Sequence, residues 1–175
     1  LYLAESGVIY FGADQDVTVT HDPDDGLFLK SIATTDNNPV LLTLQTGETD
    51  IAANDVIGKL AFQAPDEGTG TDAILIAAAI QARSEGDFAA DANATSLDFM
   101  LGSSGAAATK MTLNSTGNLS VGDGTAALPS YANVGDLNTG VYFPAADTVG
   151  VTAGGTEQFR FGSNPIPGGD KNILN

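Results

Sequence analysis

Apolar residues in this chain recur at every second position. Val17/Val19, Leu27/Leu29, Val40/Leu42/Leu44, Leu60/Phe62 and Leu97/Phe99/Leu101 each set apolar side chains on one face of an extended backbone. Clusters of Gly, Asp, Asn, Pro and Thr separate these sets. Asp24-Asp25-Gly26, Glu67-Gly68-Thr69-Gly70 and Gly122-Asp123-Gly124 carry the residue types that positive φ requires, and they predict turns. Pro39 and Pro129 predict strand starts or edges, where a missing N–H is tolerated. The segment from Ala73 to Glu85 is rich in alanine, the best helix former. Yet Ile74, Ile76, Ala78, Ile80 and Ala82 all fall on even positions. The pattern predicts a strand there rather than a short helix, because propensity is a weak prior against periodicity.

Two stretches repeat each other. Residues 10–20 (YFGADQDVTVT) align without a gap on residues 142–152 (YFPAADTVGVT), with the aromatic pair and the Val-x-Val-Thr end shared. Each reads as a strand, a turn near Gly12 or Pro144, and a second strand ending at Thr20 or Thr152. The shared alternation predicts that Val17 and Val19 present the same face as Val149 and Val151. A weaker echo links Leu42-Thr43-Leu44-Gln45-Thr46-Gly47 to Met111-Thr112-Leu113-Asn114-Ser115-Thr116-Gly117, both read as strand then turn. Recurring β units point to a modular, extended structure.

Composition sharpens this picture. Ala and Gly together make 46 of the 175 residues, against 43 for Leu, Ile, Val and Phe. That apolar content exceeds what a disordered chain carries, so the chain is expected to fold. Its side chains are thin for filling a sandwich about 10 Å thick. Small residues suit strands that approach closely, so burial of the apolar face against other copies is expected. Six basic residues oppose 22 acidic ones, for a net charge of −16. Nucleic acid and anionic membrane surfaces are therefore poor partners. No Cys is present, which removes disulfides and thiolate metal sites. No run of 18 apolar residues predicts membrane insertion, and no basic segment before an apolar stretch predicts a signal peptide. The chain opens mid-pattern at Leu1 and stops at Asn175, as a segment of a longer protein would.

Several stretches carry a family likeness. Met111-Thr112-Leu113-Asn114-Ser115-Thr116-Gly117-Asn118-Leu119-Ser120-Val121-Gly122 resembles the strand and serine-glycine turn module of tailed-bacteriophage tail fibres. Leu128-Pro129-Ser130-Tyr131 followed by residues 138–147 (NTGVYFPAAD) resembles a second fibre module. Residues 50–62 (DIAANDVIGKLAF) are similar to strand-rich shaft segments of marine phage fibres, and Lys171-Asn172-Ile173-Leu174-Asn175 resembles the entry to a distal domain. The resemblance implies an all-β, extended, intertwined homotrimeric fibre. It implies a structural part of a virion, extracellular, joined to other tail or baseplate proteins. A distal domain would bind a host cell-surface receptor. On this reading residues 1–45 form an N-terminal β module and 46–126 a central shaft segment. Residues 127–162 form a second module echoing 10–20, and 163–175 a linker.

Candidate chemistry is sparse. His21 is the only histidine, and Val19 and Pro23 flank it at two residues, so no His-x-His pair exists. It reads as a strand-end polar residue rather than a metal ligand. Asp22, Asp24 and Asp25 lack the spacing and closing Glu of a calcium loop, and read as a solvated turn. Asp98, or Asp66 with Glu67, could be taken for carboxylates of a glycan hydrolase. Strand patterning instead sets Asp98 outward, opposite Leu97 and Phe99. Sequons at Asn93, Asn114 and Asn118 are expected by chance in a chain rich in Asn, Ser and Thr. No catalytic, cofactor-binding or metal residue is assigned, and no cofactor is expected. Phe62, Leu97, Phe99 and Leu101 are expected on faces buried between subunits or between packed sheets. The alternatives are a polysaccharide-degrading tailspike segment and a bacterial surface adhesin stalk.

Overall fold

A computed structural model describes residues 6–11, 17–23, 26–64 and 70–162. All regular structure among them is β. The strands are β1 (Val8–Phe11), β2 (Val17–Asp22), β3 (Gly26–Ser31), β4 (Val56–Gln63), β5 (Ile76–Ser84) and β6 (Thr95–Leu101). They continue as β7 (Ala108–Leu113), β8 (Leu119–Val121), β9 (Tyr131–Asn133), β10 (Asp136–Ala145), β11 (Thr148–Ala153) and β12 (Thr156–Phe161). They build three antiparallel sheets, ordered β1-β2-β3, β4-β5-β6-β7-β8 and β9-β10-β11-β12. Within each sheet every strand pairs with its neighbour in sequence, as in β-meanders.

The chain divides into two compact units, Leu1–Leu44 and Gln45–Asn175. The first holds β1 to β3 and the second the other two sheets. The alanine-rich segment is β5 from Ile76, with residues 71–75 in turns ahead of it. The two-residue period of β5 puts Ile76, Ala78, Ile80 and Ala82 on one face, while Ile74 stays in the turn.

Val40, Leu42 and Leu44 form no strand, and the structure corrects that expectation. Residues 32–50 contain no strand, and all four of Val40, Leu41, Leu42 and Leu44 are exposed. Alternation makes a segment fit for a sheet, but a strand exists only where a neighbour supplies the ladder. Pro39 accordingly opens nothing, and the echo between 42–47 and 111–117 holds only at its second copy. There β7 ends at Leu113, and the Asn114 side chain accepts from the N–H groups of Thr116 and Asn118 (3.1 and 2.8 Å), closing a turn with Gly117 at φ +84°.

The repeated stretches adopt one local structure. Val8↔Thr20, Ile9↔Val19 and Tyr10↔Thr18 pair in the first copy, and Gly140↔Thr152, Val141↔Val151 and Tyr142↔Gly150 in the second. Each pair in the second copy lies 132 positions beyond its counterpart, the offset of the sequence alignment. The likeness extends to a third strand. Val19↔Leu29 and Thr18↔Lys30 correspond to Val151↔Phe159 and Gly150↔Arg160. The second hairpin does not turn at Pro144. Pro144 lies inside β10, and Ala145 pairs with Thr148 across Ala146–Asp147, with Asp147 at φ +57°. A register shift between Tyr142 and Ala145 absorbs the extra length. Gly12 and Asp24-Asp25 lie outside the described residues.

Candidate functional site

The five-stranded sheet has two unlike faces. Leu60, Ile80, Phe99, Met111 and Val121 are paired in one unbroken row across all five strands. The next row on the same face runs Gly58, Ala82, Leu97, Leu113, Leu119. Phe62, Ala78, Leu101 and Ala108 continue it across four strands. This face carries no charge along these rows. Leu60, Phe62, Ile80, Leu97, Leu101, Leu113 and Leu119 are each between 38 % and 56 % exposed. Taking about 200 Å² for a fully exposed large apolar residue, these seven leave about 600 Å² of surface, the upper end for a monomer's largest apolar patch.

The opposite face is polar and closed at its centre. Its central row is Lys59, Gln81, Asp98, Thr112, Ser120. Asp98 is 1 % exposed, so the expectation that it faces solvent is corrected. One carboxylate oxygen accepts from Arg83 Nε (2.8 Å) and Gln81 Nε2 (3.1 Å). The other accepts from Thr112 Oγ1 (2.9 Å) and Arg83 Nη2 (3.3 Å). Arg83 Nη1 reaches on to Asn54 Oδ1 at 3.1 Å. The guanidinium holds the Asp98 carboxyl below the usual range, against desolvation, and the pair raises Arg83 in turn. Every lone-pair direction of the carboxylate is occupied, so no room remains for a substrate or metal on it. Gln81 Oε1 is buried without a partner among the described residues.

The end of this sheet is tied down by small polar groups. Ser84 accepts from the Asp55 N–H (2.9 Å) and donates to the Ala52 carbonyl, while Ser96 donates to the Arg83 carbonyl (3.2 Å). Both serines are fully buried. The Glu85 carboxylate accepts from the Ser115 N–H (3.1 Å) and hydroxyl, which lowers its pKa and links the β5–β6 connection to the β7–β8 turn.

In the β9–β12 sheet the buried side is again the one with small and polar residues. Tyr142 lies over Gly150, where a side chain would overlap the ring. Its hydroxyl donates to the Glu157 carboxylate, which Arg160 also holds at 2.6 Å. Arg160 first, then Tyr142, lowers the Glu157 pKa, and the Glu157 bond raises that of the Tyr142 hydroxyl. Thr152 Oγ1 donates to the Ala126 carbonyl (2.8 Å), and the Phe143 N–H to the Asp123 carbonyl (2.7 Å). The 122–130 connection thus covers this side. The other side carries Tyr131, Val141, Phe143, Val149, Val151, Phe159 and Phe161. Tyr131, Phe159 and Phe161 are 39–50 % exposed, and Tyr131 meets Phe143 edge to face at 6.3 Å.

His21 is exposed on β2 opposite Leu27, with its N–H bonded to the Gly7 carbonyl (3.1 Å). Asp22 ends the same strand. Among the described residues no group of three potential metal ligands comes together. Asp66, Glu67, Asp24, Asp25 and residues 163–175 lie outside the described residues. The sequence reading missed the Gln81–Arg83–Asp98–Thr112 network. The one available signal was that Gln81 and Arg83 interrupt the alanine run on odd positions.

Comparison with known proteins finds no matching family model, no matching curated protein and no matching solved structure.

Proposed function

We propose that this chain is a structural segment of a tailed-bacteriophage tail fibre, a homotrimeric β shaft that positions a receptor-binding tip for adsorption. The observation that carries the reading is the uncovered apolar row Leu60–Ile80–Phe99–Met111–Val121 with the rows beside it. Burying about 600 Å² at about 25 cal/mol/Å² is worth about 15 kcal/mol per chain before the cost of association. A chain that closes its polar face and leaves its apolar face open is stable in water when copies cover one another. The number three comes from the resemblance to fibre modules. The role is mechanical rather than catalytic, which the fully occupied Asp98 carboxylate favours. Other tail or baseplate proteins and a host receptor, reached through a distal domain, complete the proposed virion setting. Light scattering of the full chain at micromolar concentration tests the reading. Three times the chain mass is expected, and a compact monomer would sink it.

A further inference from the structure

Two parts of this chain lack a strand neighbour, and their patterns match. Residues 40–46 (VLLTLQT) alternate as β6 does, yet their backbone makes no hydrogen bond among the described residues. In an extended backbone Val40, Leu42 and Leu44 stand on one side, and Thr43 and Gln45 on the other. β4 is the longest edge strand of the three sheets, with β5 on one side only. Its residues 58–62 pair regularly with β5 between two register shifts. Leu60 and Phe62 lie on the apolar face of the sheet, and Lys59 and Ala61 on the polar one. Natural sheets blunt an edge by shortness, proline or charge, and β4 has only Lys59. The lead-in to β4 supplies no neighbour, because it bonds toward β5. The Asn54 N–H donates to the Ser84 carbonyl (3.1 Å), and the Ile51 carbonyl accepts from the Phe88 N–H (2.9 Å). The other edges match the segment less well. β1, β8 and β9 hold three or four residues, and β12 carries Glu157 and Arg160. β3 is apolar on both faces through Leu27, Phe28 and Leu29.

We infer that residues 40–46 of one copy add as a sixth strand to the β4 edge of a second copy. The inference rests on the proposed assembly and states which parts of the copies meet. The backbone ladder supplies the attachment, and the shared two-residue period supplies the fit. Val40, Leu42 and Leu44 then extend the apolar rows of Leu60 and Phe62, while Thr43 and Gln45 come beside Lys59 on the polar face. The contact sets no acid against another acid. Residues 39–46 carry no charge, and β4 carries only Lys59, so the repulsion of the net charge acts from outside the contact and is screened by salt. A second copy is the selected partner because every copy holds both halves, a strand without an edge and an edge without a strand. One half of each kind per copy makes the contact head-to-tail, the type that closes into a ring where the rotation allows.

Hydrogen exchange of the full chain, resolved by residue, tests this at a concentration where light scattering shows a trimer. Two sets of amides are expected to exchange about tenfold more slowly than those of residues 33–36: alternate N–H groups within 40–46, and the alternate N–H groups of β4 that β5 leaves free. Dilution that dissociates the copies should release both sets together. Proline supplies the second arm. Adjacent N–H groups of a strand point to opposite sides, so either Leu42 or Thr43 must point its own at β4. Of Leu42→Pro and Thr43→Pro, at least one is expected to raise the dissociation concentration about tenfold, and Thr34→Pro to leave it unchanged. Fast exchange at either set in a trimeric sample, or two proline variants that dissociate like the parent, overturns the strand exchange and leaves the trimer standing. Protection that persists in the dissociated chain also overturns it, because the segment would then pair with its own β4. A monomer at every concentration overturns both readings.

Discussion

Asp98 is the residue on which the polar face depends. Four hydrogen bonds from Gln81, Arg83 and Thr112 converge on a carboxylate that water does not reach. Asp98→Ala leaves the Arg83 charge and two polar side chains without their acceptor. Breaking such a buried pair costs about 3–5 kcal/mol, and the lower end applies because the Arg83 side chain is 27 % exposed. Urea unfolding of Asp98→Ala is expected to show a loss near 3 kcal/mol, far above a surface substitution such as Asp91→Ala. The same group sets an acid dependence. Its folded pKa lies below the unfolded value, so its contribution is complete above about pH 4 and is lost as pH falls through the lower folded value. Stability measured from pH 5 to pH 2 should fall less steeply in Asp98→Asn than in the parent chain. Equal slopes would mean that other carboxylates carry the acid transition.

At the scale of elements, the two meanders show how one residue redirects a shared hairpin. Tyr10 faces Thr18 and Tyr142 faces Gly150 at matching register positions. A glycine lets the Tyr142 ring lie flat across the strand and reach Glu157, whereas the threonine of the first copy holds that place with its own side chain. Gly150→Thr therefore recreates the first meander's arrangement in the second. It should lift Tyr142 out, break its bond to Glu157 and cost about 1–3 kcal/mol, as overpacking does. Tyr142 solvent accessibility, followed by fluorescence quenching, should rise toward that of Tyr10. An unmoved Tyr142 with unchanged stability would mean that the ring does not depend on the glycine. The β11–β12 turn should tolerate no such change of backbone. Gly154 and Gly155 both hold positive φ, +57° and +77°, as the two-residue hairpin between Ala153 and Thr156 requires.

For the whole molecule, the balance lies between an open apolar face and a large like charge. Phe99 stands at the centre of the five-strand row but is only half-buried in the single chain. Phe99→Ala should change the unfolding of a dissociated chain by about 1 kcal/mol or less. In the assembly the same truncation costs about 3–5 kcal/mol in every copy. Thermal melts at two protein concentrations separate these cases, because dissociation makes the midpoint depend on concentration. The parent midpoint should rise with concentration, and Phe99→Ala should lower it sharply. Added salt should strengthen association, since it screens repulsion between copies that each carry a net charge of −16. A midpoint indifferent to both concentration and salt would argue for an unassembled chain.

The sequence by itself determined the strand class, most strand positions and the way each strand sorts its side chains. Alternation is a local property, and Leu97, Phe99 and Leu101 stand opposite Asp98 whatever the strand packs against. The repeat likewise carried its own register, because six shared residues fix the same pleat. What only the tertiary structure decided is which side of each sheet is closed. Strand patterning sets Asp98 opposite Leu97 and Phe99, on the side that would face outward if the apolar side were the core. Pairing β5 to β6 and β6 to β7 instead brings Gln81 beside Asp98 and Thr112 beyond it, and Arg83 folds over them, across separations of 14 to 17 residues that no local pattern encodes. Val40, Leu42 and Leu44 show the converse. Their alternation equals that of β6, yet they form no strand, because a strand is a relation between two segments and the sequence of one does not supply the other.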